Sequence, residues 1–160
     1  MHKKTVSVEY AEFADLEEMD AETVALIEEA IAIAKKSYSP YSKFPVGAAV
    51  LLDDGQVFAG NNQENIAFPS GTCAERSVLN YVHGNFPERR IQRIAITAPS
   101  SNSPVPVTPC GFCRQVMVEI EQRQGVHLQV ILHKIGGPTY VFDSAVSLLP
   151  LAFEDAALKK

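Results

Sequence analysis

Pro109-Cys110-Gly111-Phe112-Cys113-Arg114-Gln115 contains two of the three cysteines of this chain, in a Cys-x-x-Cys spacing. The third lies upstream, in Thr72-Cys73-Ala74-Glu75-Arg76. A Cys-x-x-Cys pair can place two thiolates on one metal ion, and a distant third cysteine completes a three-ligand site whose fourth position is open to water. The two segments therefore indicate a catalytic zinc site, and they must meet in the fold.

Glu75 is separated from Cys73 by a single residue, so its carboxylate can carry protons to and from whatever the metal activates. Thr72 stands three residues before Glu75, and this spacing is also that of a capping box at a helix N-terminus. The adjacent proposed ligand favours the catalytic role for Glu75.

Two other interpretations of the cysteines are compatible with their spacing. A Cys-x-x-Cys pair at a helix N-terminus can be a redox dithiol, although a third cysteine just before a glutamate disfavours this. A purely structural zinc takes four protein ligands. The candidates for a fourth ligand are the histidines, none of which lies near a cysteine in sequence: His2, His83, His127 and His133.

Arg76 and Arg114 each follow a cysteine closely. Three thiolates on one Zn²⁺ leave a net charge of about −1, which weakens the metal as a Lewis acid. A guanidinium that donates to the sulfurs would offset this charge. Arg76, one helical turn after Cys73, is the better placed of the two, and Arg114 is expected to be an exposed helix charge.

The composition indicates a single soluble globular domain with a small-molecule substrate. The chain has 160 residues, of which 46% are hydrophobic, and no apolar run approaches the roughly 20 residues that span a bilayer. The start of the chain lacks the apolar stretch of a signal peptide, and an odd number of cysteines fits reduced thiols, so the cytoplasm is expected. The net charge of −5 argues against nucleic acid as a partner, and no membrane association is expected.

Hydrophobic periodicity and the positions of helix- and strand-breaking residues predict a mixed α/β chain. One domain is expected over residues 1–160, with a core at about 20–153. The N-terminal extension at 1–19 is expected to form a short strand or turn. The loop at 37–45 contains two prolines and three aromatics, more than a purely solvated loop would need, so it is expected to line something. Helices are predicted over 20–36, with Asp20 as its cap, over 72–83 and over 144–149. A further helix is predicted to begin with Thr108 as its cap and Pro109 at its first helical position. The predicted strands cover 46–52, 56–61, 93–98, 127–133 and 139–142, and a charged tail follows.

The order and spacing of the motifs resemble those of the cytidine deaminases, in particular their short-chain, homotetrameric branch. The segments that carry the resemblance are Ser39-Pro40-Tyr41-Ser42-Lys43-Phe44-Pro45-Val46-Gly47-Ala48-Ala49, Cys73-Ala74-Glu75-Arg76 and Pro109-Cys110-Gly111-Phe112-Cys113-Arg114-Gln115-Val116. Zinc deaminases combine Pro-Cys-x-x-Cys with an upstream ligand and a non-ligand glutamate. The resemblance runs from about Asp20 to Phe153, and it implies an α/β/α three-layer fold around a five-stranded mixed sheet.

The resemblance implies hydrolytic deamination of cytidine and 2′-deoxycytidine to uridine and 2′-deoxyuridine, with release of ammonia, in pyrimidine salvage. Glu75 would take a proton from the attacking water and carry protons to N3 and to the departing amine. One Zn²⁺ per subunit would be held by Cys73, Cys110 and Cys113. The implied substrate contacts are Phe44 stacking on the base, Asn62 and Glu64 on the ribose, the Ala74 backbone at the pyrimidine edge, and Phe153 closing a neighbouring subunit's pocket.

Three residues depart from the family pattern. Ile66 and Phe68 stand where the family more usually has Ala and Tyr beside the ribose, and Phe112 replaces the commoner Ala. These differences leave open another aminopyrimidine nucleoside, such as a blasticidin-like antibiotic, as the substrate. A zinc-stabilised binding protein without catalysis is the alternative outside the enzymes.

Overall fold

A six-stranded mixed sheet forms the centre of the computed structural model, which describes residues 1–154. The strand order is β1-β6-β5-β4-β2-β3, in which β4 and β5 are parallel and the other neighbours are antiparallel. The strands are β1 (Ala11–Phe13), β2 (Gly47–Leu52), β3 (Val57–Asn61), β4 (Ile91–Thr97), β5 (Gln129–His133) and β6 (Thr139–Phe142). The helices are α1 (Ala21–Ala34), α2 (Ala74–Asn85) and α3 (Gly111–Gln124), and a 3₁₀ helix covers Ala145–Leu148.

Helices cover both faces of this sheet, which confirms the predicted three layers. Because side chains alternate along a strand, β2 sends Val50 toward α2 and α3, and its neighbour Ala49 toward α1. Leu79 of α2 and Met117 of α3 are fully buried on the first face. On the second face α1 approaches so closely that a Cβ on Gly47 would lie 2.0 Å from the Ala30 carbonyl oxygen.

The sheet has six strands rather than the expected five. The N-terminal extension provides the additional strand β1, which pairs Ala11 with Val141 and Phe13 with Thr139 of the edge strand β6. An edge strand offers unpaired N–H and C=O groups to any extended segment that reaches it. A three-residue strand is too short to show a periodic pattern, so the sequence did not reveal this pairing.

The α1 helix and the first hairpin form as predicted. Asp20 caps α1, and its carboxylate accepts a hydrogen bond of 2.9 Å from the Thr23 N–H. The β2–β3 connection turns at Gly55, whose φ of 83° is in the left-handed region that favours glycine. The strand predicted over 139–142 is present with the same ends, and those predicted over 93–98 and 127–133 are present with slightly different ends. Ser144 caps the predicted short helix.

The caps of the other two helices differ from the prediction. Cys73 is the N-cap of α2 and Cys110 is the N-cap of α3, in place of Thr72 and Thr108. The Thr72 carbonyl oxygen accepts from the Gln63 N–H at 2.9 Å, whereas the Cys73 carbonyl oxygen accepts the first helical bond, from the Ser77 N–H at 2.9 Å. The capping box of Thr72 and Glu75 is therefore not formed.

The predicted charged tail lies, apart from Glu154, outside the described residues. Within residues 1–154, no helix has the length and apolar character needed to cross a membrane.

Candidate metal centre and active site

The three cysteine sulfurs lie within 4.8 Å of one another at the N-termini of α2 and α3. Cys110 and Cys113 have their Sγ atoms 3.6 Å apart, and all three cysteines are free thiols. Cys113 is buried, Cys73 is partly buried and Cys110 is exposed. Free backbone N–H groups at a helix start favour thiolate over thiol, so two helices direct their positive ends at this cluster.

The donor set fits a divalent cation. A hydrogen bond between Cys113 and Cys73 is the largest cause that lowers the pKa of Cys73 and raises the pKa of Cys113. Neighbouring thiols cannot all ionise without a positive charge between them, and a bound cation removes this conflict by taking all three as thiolates. Cys73, Cys110 and Cys113 are thus positioned to bind a metal ion, as predicted.

No other His, Cys, Asp or Glu of residues 1–154 joins the cluster. Two of the histidines that were candidates for a fourth ligand have other partners. The Nδ1 atom of His133 lies 2.8 Å from the Thr139 hydroxyl, and that of His127 lies 3.0 Å from a Glu121 carboxylate oxygen. The described part of the chain therefore offers three ligands, which is the arrangement of a catalytic rather than a closed structural zinc site.

Glu75 lies in the first turn of α2, and only 4% of its surface is exposed. Burial raises the pKa of this carboxyl, and the negative charge of Cys73 raises it further. A carboxyl group with a raised pKa can both accept and release a proton near neutral pH, which suits a proton carrier.

The Arg76 side chain points at the three-cysteine cluster. Its Nη2 atom donates to the Cys73 sulfur at 3.9 Å and to the Gly71 carbonyl oxygen at 3.5 Å. Arg114, in contrast, is partly buried and donates to the carbonyl oxygens of Pro109 at 2.8 Å and Leu148 at 2.9 Å. The expectation of an exposed charge at Arg114 is therefore wrong, because the side chain ties the start of α3 to the segment that follows β6.

An open cavity of about 510 Å³ adjoins the cluster, which is enough room for a nucleoside-sized ligand. Its wall contains one of the three cysteines, the neighbouring arginine, both proposed ribose contacts and two aromatic rings. These residues are Cys73, Arg76, Asn62, Glu64, Tyr41 and Phe68. Tyr41 confirms the expectation that the 37–45 loop lines a pocket.

The other predicted substrate residues are not on this wall. Phe44 is a partly buried residue of the loop, and Ala74 is fully buried at the start of α2. Phe153 lies beside α2 and α3 in a separate groove, with Asn80 and Val116, and its carbonyl oxygen accepts a 2.8 Å hydrogen bond from Gln115. Within one chain, Phe153 is therefore not part of the cavity that Cys73 lines.

The loop that carries Phe44 is held by contacts that were not predicted from the sequence. Glu64 uses one carboxylate oxygen, Oε2, to accept the N–H groups of Tyr41 at 2.8 Å and Ser42 at 3.2 Å. The Asn62 side chain bonds to the same loop, at Phe44 and elsewhere. No local pattern reveals these contacts, because they join segments about 20 residues apart in sequence.

Comparison with known proteins gives a consistent family. A family model described as "Cytidine and deoxycytidylate deaminase zinc-binding region" matches residues 21–128. A protein of Halalkalibacterium halodurans named cytidine deaminase is 45% identical over 97 residues, which cover 59% of this chain and 69% of the relative. Another of the same name from Sporosarcina psychrophila is 42% identical over 101 residues, which cover 63% and 70%.

Solved structures agree. The crystal structure of cytidine deaminase from Burkholderia pseudomallei is similar with a TM-score of 0.72 and 40% identity, over 84% of this chain and all of the other. That of the Mycobacterium tuberculosis cytidine deaminase has a TM-score of 0.64 and 32% identity, over 84% and 99%. By the matched region, the sequence identity and the shared fold, the chain belongs to the zinc-binding family of cytidine and deoxycytidylate deaminases.

Proposed function

We propose that this protein catalyses the hydrolytic deamination of cytidine and 2′-deoxycytidine to uridine and 2′-deoxyuridine, with release of ammonia. The observation that carries the proposal is a cluster of three cysteines that can bind one metal ion, with the buried Glu75 in the adjoining helix turn and a nucleoside-sized cavity beside it. The names of its relatives support the same substrate class.

Zinc bound by Cys73, Cys110 and Cys113 would lower the pKa of a water molecule and so supply the nucleophile. Glu75 takes one proton from the attacking water and delivers it to N3 of the base. It then takes the second proton from the new hydroxyl group on C4 and delivers it to the departing amino group. A bond forms between the water oxygen and C4, the bond from C4 to nitrogen breaks, and ammonia leaves. Water is the only co-reactant, so the reaction needs no oxidant or reductant.

Arg76 supports this chemistry by donating to the Cys73 sulfur. Without such a donor, three thiolates would place about one net negative charge on the site and oppose ionisation of the water.

The proposed substrate contacts use residues on or behind the cavity wall. Phe44 stacks on the base, and the Ala74 backbone meets the pyrimidine edge. Asn62 and Glu64 hydrogen-bond the ribose. Because the Tyr41 and Ser42 amides occupy Oε2 of Glu64, the oxygen left for a ribose hydroxyl is Oε1.

A homotetramer with one Zn²⁺ per subunit is part of the proposal, and Phe153 of one subunit closes the pocket of a neighbour. Large apolar side chains that are exposed in one chain support an assembly: Ile66 at 82%, Phe68 at 74%, Phe112 at 79% and Phe153 at 62%. The reduced thiols and acidic net charge support a cytoplasmic enzyme of pyrimidine salvage that acts on free nucleosides rather than on nucleic acid.

Loss of the cytidine absorbance band on addition of the zinc-loaded protein, together with ammonia release, tests the function. Glu75→Gln is the control, because it keeps the size of the side chain and removes the proton carrier. We expect zinc to be retained and turnover to fall about 10²- to 10⁴-fold. Normal turnover by the zinc-loaded variant would contradict the mechanism.

A second candidate is deamination of another aminopyrimidine nucleoside, because Phe68 lines the cavity without a phenol hydroxyl and Ile66 stands two residues before it in sequence. A substrate panel that includes a blasticidin-like nucleoside separates the two candidates. A zinc-loaded protein that released ammonia from none of the panel would instead be a binding protein.

A further inference from the structure

The Asn62 side chain holds the loop that carries Phe44 through three hydrogen bonds. Its Oδ1 atom accepts from the Val46 N–H at 2.7 Å and from the Ser37 hydroxyl at 2.6 Å, and its Nδ2 atom donates to the Phe44 carbonyl oxygen at 3.0 Å. These contacts clamp the Phe44–Pro45–Val46 backbone on both sides of the proline. The orientation of the Asn62 amide therefore determines where Phe44 lies.

The loop needs this support because its backbone is strained just before Phe44. Lys43 has a φ of 57°, a left-handed conformation that costs a residue with a Cβ roughly 1–2 kcal/mol. A local bond of 3.0 Å from the Phe44 N–H to the Ser42 hydroxyl oxygen closes the turn on itself. Only Asn62 and Glu64 anchor this part of the loop by side-chain bonds from outside it, among the residues described.

Ser37 connects this clamp to α1. Its backbone N–H donates to the Ala34 carbonyl oxygen at 3.1 Å, at the C-terminal end of that helix, while its hydroxyl orients the Asn62 amide. Because α1 packs against the sheet in the close contact at Gly47, the end of this helix has a fixed position. Ser37 is bonded to that end, so its hydroxyl holds the Asn62 side chain in a fixed orientation.

We propose that Ser37 is a positioning residue for Phe44, which it orients through the Asn62 side chain. The inference rests on the proposed function, in which Phe44 stacks on the base. No contact between Ser37 and the substrate is required, since Ser37 is not on the cavity wall.

A displaced Phe44 ring is expected to change KM rather than kcat. A ring stacks equally on the substrate and on the transition state, so its displacement weakens uniform binding and raises KM while kcat is preserved. Loss of one neutral hydrogen bond corresponds to about a twofold to tenfold change. We therefore expect Ser37→Ala to raise KM for cytidine about twofold to tenfold and to change kcat by less than about twofold.

Two further variants control this measurement. Ser37→Thr keeps the hydroxyl and is expected to restore KM. Ser39→Ala removes a hydroxyl from the same loop that makes no side-chain hydrogen bond within the described residues, and its KM should equal that of the wild type. An equal rise in KM for Ser37→Ala and Ser39→Ala would overturn the proposal, because it would reflect general loosening of the loop.

A double-mutant cycle distinguishes an effect of Ser37 on the position of Phe44 from an effect of Ser37 on the proposed ribose contact of Asn62. In a Phe44→Leu background, we expect Ser37→Ala to have almost no further effect on KM. With 2′,3′-dideoxycytidine, which lacks the 2′ and 3′ hydroxyls of the ribose, the effect of Ser37→Ala should persist. Additive effects in the cycle, or disappearance of the effect with the dideoxynucleoside, would overturn the assignment to Phe44.

A measurement that does not depend on activity uses the zinc-loaded protein labelled with 4-fluorophenylalanine at its 8 phenylalanines. Phe44→Leu identifies the fluorine resonance of Phe44. We expect Ser37→Ala to shift or broaden this line and Ser39→Ala to leave it unchanged. An unchanged line in Ser37→Ala refutes the positioning role, whereas a shifted line in a protein that deaminates no nucleoside refutes the proposed function alone.

Discussion

Arg76 is placed to offset the negative charge that we propose for the metal site. Its guanidinium lies 3.9 Å from the Cys73 sulfur and is not part of the three-cysteine cluster. Loss of a group that donates to a metal ligand typically costs about 10- to 100-fold in activity or metal affinity. Because the sulfurs themselves remain, the loss here should fall mainly on activity.

We therefore expect Arg76→Ala to lower kcat for cytidine about 10- to 100-fold while the zinc content stays close to that of the wild type. Metal analysis and steady-state kinetics on the same preparation measure both quantities. Arg90→Ala, on the exposed turn before β4, is a matched control that should change neither. Loss of zinc or of folding in Arg76→Ala would show that the side chain has a structural role.

At the scale of elements, the contact between α1 and β2 depends on the absence of a side chain at Gly47. A Cβ there would lie 2.0 Å from the Ala30 carbonyl oxygen and 2.8 Å from the Ala34 nitrogen, both backbone atoms that cannot rotate away. Gly47→Ala should lower the free energy of unfolding by about 3 kcal/mol or more, or prevent folding. Urea denaturation followed by circular dichroism measures this change.

Gly84→Ala is the matched substitution for Gly47→Ala. Gly84 lies in α2 and a Cβ there would meet no atom within 4 Å. Alanine is the better helix former, so Gly84→Ala should raise the free energy of unfolding by up to about 1 kcal/mol. Similar effects of the two substitutions would contradict a close contact specific to α1 and β2.

Glu121 ties α3 to the segments before β5 and after β6. Its buried carboxylate accepts hydrogen bonds from the Leu128 N–H at 3.0 Å, the Ala145 N–H at 2.8 Å and the Ser144 hydroxyl, and His127 lies beside it. Burial raises the pKa of Glu121, but the bonds from Ser144, His127, Leu128 and Ala145 outweigh it, so its pKa is below the ordinary value.

A pKa that is lower in the folded than in the unfolded chain stabilises the fold above the unfolded pKa, and this stability is lost as the pH falls through the folded pKa. We expect the free energy of unfolding to fall more steeply between about pH 5 and pH 3 in the wild type than in Glu121→Gln. Glu119→Gln, on the exposed face of α3, should retain the wild-type slope. Equal slopes for the wild type and Glu121→Gln would contradict this role of Glu121.

At the scale of the whole molecule, the question is whether one chain forms a complete pocket. Phe153 is 62% exposed and lies outside the cavity of its own chain, so Phe153→Ala should leave the fold stable and raise KM for cytidine. Leu151→Ala is the matched control in the same segment, because Leu151 is 93% exposed. Sedimentation velocity and kinetics on both variants test the effect and the oligomeric state together.

Mixed assemblies provide the decisive comparison. If Phe153 closes a neighbouring pocket, assemblies formed by refolding Phe153→Ala with Glu75→Gln should contain pockets with an intact Glu75 and a donated Phe153. We expect such mixtures to recover part of the activity at low cytidine concentration that the Phe153→Ala protein lacks. No recovery in mixed oligomers would contradict pocket sharing between subunits.

Local patterns were enough to predict the three cysteines that are positioned to bind a metal, the α1 helix, the first hairpin and the α/β class. Cysteine spacing, caps such as Asp20 and alternating apolar residues are local patterns, and each one acts through atoms a few residues apart.

Three features could not be predicted from the chain alone: the pairing of Ala11–Phe13 with β6, the capping of α2 and α3 by Cys73 and Cys110, and the bonds that Asn62 makes to Ser37 and Phe44. The physical reason is that unpaired backbone and side-chain groups bond to whichever partner packing brings near them, and distant contacts of this kind leave no periodic signal in the chain.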